Sequence, residues 1–180
     1  MSQDDVLAFW FDAEHERLWF RSTPEFDQLI RQRFETCWQN AAAGLMDRWA
    51  DHADGALALV IVLDQFPLNM FRNRPESFAT EAKAIAVSRD AIGRGFDEAM
   101  PDPRKAFLYM PLMHSESLED QEHSVALFEA AGLDDNLRFA RHHRDLIARF
   151  GRFPHRNDIL GRTSSDKEIA YLASKEAFTG

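Results

Sequence analysis

Helix-starting and helix-stopping residues recur from one end of this chain to the other, and no stretch alternates apolar and polar residues with the period of two that a half-buried strand needs. Ser2 with Asp5 forms an N-terminal capping pattern ahead of Val6, Leu7, Phe9 and Trp10. Thr23-Pro24 opens a second helix that sets Phe26, Ile30, Phe34, Cys37, Trp38 and Ala41 on one face before Gly44. Asp54 is placed to cap the very apolar run Ala56 to Leu63. That run is expected to be central and buried, and to end at Asp64-Gln65-Phe66-Pro67, because Pro67 biases Phe66 away from helical geometry. Another helix is expected from about Ser77 to Arg94, stopped by Gly95, and a short one from Asp102-Pro103 that Pro111 closes. Ser115 or Ser117 caps a helix to Ala131, and Asn136 begins one that reaches Phe150 before Gly151. Ser165 with Glu168 makes a capping box for a last helix carrying Ile169, Tyr171, Leu172 and Phe178. The expected fold is all-α, built of antiparallel helix pairs in a single domain over residues 1–180. The pattern alone leaves both a bundle and an α-solenoid open.

Composition narrows the function classes. A net charge of -9 works against nonspecific attraction to nucleic acid or to anionic membranes, so neither partner is expected. The first residues, Met-Ser-Gln-Asp-Asp, carry no basic region and no long apolar stretch, and no window approaches the roughly 20 apolar residues of a membrane helix, so a cytoplasmic protein is expected. The single cysteine, Cys37, excludes an internal disulfide, and its helical spacing from Phe34 and Ala41 reads as a packed thiol. Phe26, Phe34 and Trp38 also recur at helical spacing, which makes the aromatic richness a matter of core packing.

Polar chemistry concentrates between Phe107 and Arg162, where histidines, carboxylates and arginines stand among strongly apolar residues and need partners or a ligand. Arg149, Arg152, Arg156 and Arg162, with His155 and Asn157, suit a carboxylate or phosphate, since guanidinium groups stay charged and present a fork of donors. The same arginines are equally readable as ion-pair partners of Asp64, Glu116, Glu119 or Asp158, tying the loop after Phe150 to the helices. His114 and Glu116, near the helix break expected at Pro111, form a candidate acid/base pair; the alternative is that Ser115 or Glu116 caps the next helix while His114 satisfies a buried hydrogen bond. His142 and His143 diverge by about 100° on a helix, so only one can face the side of His114. His-Glu-x-x-His is absent, and a metal set of His114, Glu116 and His155 would have to be assembled from distant segments, so no metal is expected.

Four segments carry a resemblance: Phe9-Trp10-Phe11 with Trp19-Phe20, Leu63-Asp64-Gln65-Phe66-Pro67-Leu68-Asn69, Tyr109 to Glu116, and Arg149 to Arg162. Together they resemble the mainly bacterial family called domain of unknown function 924, whose fold is similar to tetratricopeptide-type helix pairs. That fold is what the resemblance implies. The family's Asp-Gln-Phe-Pro motif usually continues Arg-Asn, whereas Leu68-Asn69 stands in that place here, removing one positive group.

The leading functional expectation is a small anionic molecule bound in a polar cavity lined by Asp64, Gln65, His114, Glu116, Arg149, Arg152, His155, Arg156, Asn157 and Arg162. One alternative is a hydrolase-type enzyme using His114 and Glu116 as acid and base. The other is a peptide- or protein-interaction module, by fold analogy. Cofactor and oligomeric state are not written in the residues.

Overall fold

The computed structural model describes residues 1–177; Phe178 lies outside them. The helices are α1 (Gln3–Trp10), α2 (Ala13–Glu16), α3 (Pro24–Ala42), α4 (Ala53–Val60), α5 (Phe66–Met70), α6 (Glu81–Gly93), α7 (Asp102–His114), α8 (Leu118–Ala130), α9 (Asp134–Phe150) and α10 (Asp166–Leu172). No strand occurs among the described residues. Helix starts follow the local chemistry. Ser2 and Asp5 close a capping box on α1, Thr23 accepts from the Phe26 N–H at the head of α3, and Ser165 with Glu168 does the same for α10 as a full box.

Two proline positions depart from the sequence reading. The chain does not leave helical geometry at Pro67: residues Ile61–Gln65 wind as one π turn, with the Phe66 N–H reaching the Ile61 carbonyl, and α5 continues through Pro67. The wider turn makes room for the ring, and Thr80 donates its hydroxyl to the Leu63 carbonyl at 2.6 Å, supplying a donor in a turn where proline has none. Pro111 likewise lies inside α7, which runs to His114. Pro111 has no N–H for the Phe107 carbonyl one turn back, and beside it Ser88 donates to the Leu108 carbonyl at 2.5 Å, tying α6 to this part of α7. In both cases burial of the flanking apolar residues on all sides outweighs the local preference for a break.

The unit from α4 through α5 is the centre of the molecule. It packs on α1, α3, α6 and α7, and every residue from Gly55 to Pro67 is buried. Its 18 residues Ala53–Met70 have a mean hydropathy of 1.2, long and apolar enough to cross a membrane by composition, yet 83% of the segment is buried inside the protein, which marks a core helix. Phe66 meets Phe34 at 4.5 Å, Trp10 at 5.7 Å and Phe9 at 6.3 Å, and Cys37 is buried in the same core. Short connections fold α8 back on α7 and α9 back on α8. Gly151 takes the left-handed conformation (φ 71°) that stops α9 and turns the chain into residues 152–162. That segment and α10 share a second small core of Leu146, Ile147, Phe153 and Tyr171.

Candidate functional site

The π turn matters because of what it carries. Asp64 and Gln65 lie in it, and His114 is the last residue of α7, so a widened turn and a helix end present polar side chains where they meet. His114 Nδ1 stands 2.9 Å from Asp64 Oδ1, and Gln65 Nε2 donates to the other carboxylate oxygen at 2.6 Å. The Asp64 side chain is 3% exposed and that of His114 18%, so the carboxylate is sealed in while the imidazole keeps contact with solvent. Burial alone would lower the His114 pKa; the charge and hydrogen bond of Asp64, aided by Glu81 and opposed by Arg156, raise it above the ordinary imidazole value.

Arg156 forms the next node. It is buried with its guanidinium between the Phe78 and Phe153 rings, 4.5 and 4.6 Å from their centroids. One terminal nitrogen donates to Glu81 Oε2 at 2.8 Å, the other to the His114 carbonyl at 2.9 Å. Glu81 has its carboxyl pushed upward by burial, against the pull of Arg156 and His114. On the other side, Glu116 accepts from both ends of Arg162 (2.7 and 3.0 Å) and from the Phe153 N–H (2.8 Å), and Arg162 also donates to Asn157 Oδ1. Glu116 is pushed up by burial, but Arg162 and the Phe153 N–H outweigh this and hold it below the usual carboxylate range. Arg152 makes a two-pronged pair with Glu168 at 2.7 and 2.9 Å. That arginine, with Ser165 and Asn157, holds the Glu168 carboxyl far below its usual range.

The sequence-derived candidates therefore separate. Asp64, Gln65, His114 and Arg156 come together in one contact chain, and Glu116, Asn157 and Arg162 form an adjoining one. Arg149 is on the exposed side of α9, over the rings of Phe150 and Tyr171. His155 and His143 ring Phe153 at 5.5 and 5.3 Å; burial pushes them down to about 4 and about 3 respectively, with Arg156 adding to the effect on His155. The expected pairing of His114 with Glu116 is corrected: the carboxylate on His114 is Asp64, because Glu116, beyond the end of α7, is taken by Arg162. The expected arginine cradle is corrected in part: Arg152, Arg156 and Arg162 are each paired with a carboxylate, namely Glu168, Glu81 and Glu116. Among the described residues no three His, Cys, Asp or Glu side chains are arranged to hold a metal ion. Two site residues escaped the sequence reading. Glu168 showed only as a helix cap and Glu81 was not singled out at all; neither position signals a partner on another element.

Fold and site define an all-helical protein with a buried carboxylate holding a solvent-touching imidazole, framed by three arginine–carboxylate pairs. The model of the family described as bacterial protein of unknown function (DUF924) matches residues 6–176, and the chain belongs to that family. It is similar in structure to a protein of unknown function from Agrobacterium tumefaciens, at 37% identity and a TM-score of 0.89 over 95% of this chain and 96% of that one. No curated protein matches the sequence.

Proposed function

We propose that the protein binds a small anionic molecule, and that the group meeting it is the imidazolium of His114. The observation carrying this is the Asp64–His114 pair: Asp64 occupies Nδ1, favours the charged ring, and leaves the imidazole 18% exposed with a second nitrogen to offer as a charge-assisted donor. The paired arginines serve as the frame of the site rather than as its anion cradle, since their donors are already committed to Glu168, Glu81 and Glu116, whereas His114 spends only Nδ1 on its carboxylate. We further propose a cytoplasmic location and, on its acidic balance, no nucleic-acid or membrane partner.

The test is a thermal-shift screen of the full chain against inorganic phosphate, nucleoside monophosphates and di- and tricarboxylates, followed by histidine NMR. A stabilising anion should move the His114 resonances and lose its effect in His114→Gln. Anions that stabilise that variant as well as the parent would refute the reading. The carboxylate–imidazole geometry also favours a second reading, a hydrolase-type enzyme in which His114 exchanges protons while Asp64 orients it. On that reading a folded His114→Gln protein loses roughly 100-fold or more in turnover of whatever substrate the screen yields.

A further inference from the structure

Glu81 stands in the first turn of α6, where an exposed acid would satisfy the helix dipole and need nothing else. Its side chain is instead only 21% exposed and meets Arg156, 75 residues further along the chain. Arg156 has no latitude to follow Glu81 elsewhere. Its guanidinium is fixed between Phe78 and Phe153, and its other terminal nitrogen is committed to the backbone carbonyl of His114. A single planar fork thus joins the Glu81 carboxylate to the residue whose imidazole rests on Asp64.

We propose that Glu81 is the second carboxylate of the His114 site: a positioning residue that, through the Arg156 bridge, governs the charge and orientation of the imidazole. The charged and titratable groups around His114 are Asp64 from the π turn, Glu81 from α6, Glu116 just past α7, Asp120 of α8 by way of Ser115, His143 from α9, and His155, Arg156 and Arg162 from the loop after it. Asp64 touches the ring directly and sets its tautomer. Burial and Asp64 dominate the ring's charge; Arg156 and Glu81, joined by their ion pair, add smaller effects of opposite sign. The competing account is that Glu81 merely neutralises a buried arginine. Both accounts predict lower stability on losing Glu81; the proposal also requires the Glu81 carboxyl and the His114 ring to titrate as a coupled pair, which a Glu81 confined to Arg156 would not.

The role of Glu81 in ligand capture rests on the His114 binding reading, but its test needs no ligand. The His114 imidazole of the full chain, labelled with carbon-13, is titrated by NMR. Glu81→Gln should lower its midpoint by about half a pH unit or more, and Arg156→Gln should raise it, the usual scale for a charge a few ångströms away. A folded Glu81→Gln protein whose His114 midpoint stays within about 0.2 unit of the parent would overturn the proposal. Should that variant not fold, the unsubstituted protein decides. The Glu81 carboxyl resonance must show an inflection at the His114 midpoint, as coupled sites do, and its absence overturns the proposal. A failed ligand screen alongside a shifted His114 midpoint would sink the binding reading and leave the role of Glu81 standing.

Discussion

Replacing Thr80 by valine removes a hydroxyl that does two jobs and leaves the shape almost unchanged. The side chain, 6% exposed, donates to Leu63 O at 2.6 Å and accepts from Trp38 Nε1 at 3.0 Å. Leu63 is fully buried, so its carbonyl has no solvent to turn to in a turn where Pro67 offers no N–H. An orphaned buried carbonyl costs about 1–3 kcal/mol, and the half-buried Trp38 N–H adds at the low end, so a loss of about 2 kcal/mol is expected. For a chain of this length that is roughly 4–8 °C in Tm. Urea unfolding followed by tryptophan fluorescence should show a lower midpoint with an unchanged slope. Thr80→Ser, which keeps the hydroxyl, should retain most of the stability. A Thr80→Val loss below about 0.5 kcal/mol, or a Thr80→Ser loss as large, would refute the claim that this hydroxyl secures the π turn and the aim of Asp64.

Arg152→Gln strips the two-pronged partner from Glu168, 3% exposed, leaving Asn157 and Ser165 as its donors; the expected result is a lower urea midpoint with an unchanged slope. Glu168 has a depressed native pKa, so its contribution is present above its unfolded pKa and is lost as pH falls; Arg152→Gln should therefore cost less at pH 3 than at pH 7, and an equal cost would argue against the pair. His143 and His155, pushed down to about 3 and about 4, are neutral in both states above pH 7; below about 6.5 the unfolded chain takes up protons that the native state refuses, so stability should fall by roughly 1–2 kcal/mol per histidine by pH 5. His143→Gln should flatten that slope. His114 has a raised native pKa, so its contribution is full below the unfolded value and disappears as pH rises past the native one; His114→Gln should remove a loss of stability that sets in as pH rises above the ordinary imidazole value, seen in urea midpoints taken across that range.

Where sequence reading succeeded and failed follows from the range of the forces involved. Capping at Ser2, Thr23 and Ser165 and the stop at Gly151 depend on atoms within a few residues, so residue types at fixed spacing announce them. Pro67 and Pro111 carry an equally local preference, and it misled, because Thr80 supplies the donor that Pro67 lacks from another element and the core buries both sides of each helix. The site shows the same division. Residue types and motifs marked Asp64, Gln65, His114 and Arg156 as polar groups in apolar surroundings that had to find partners.

Which partners they found was decided by packing. His114 meets Asp64 across 50 residues, Arg162 meets Glu116 across 46 and Arg156 meets Glu81 across 75. A carboxylate two residues from His114 lost to one 50 away, since the end of α7 turns Glu116 toward Arg162 while the π turn delivers Asp64 to the ring. By itself the sequence determined the helices and the list of groups that could not remain unpaired, because capping, periodicity and desolvation are properties of neighbours and of residue type. Only the tertiary structure decided which carboxylate each of Arg152, Arg156, Arg162 and His114 would meet, because the choice among chemically equivalent partners is made by the distances that core packing imposes.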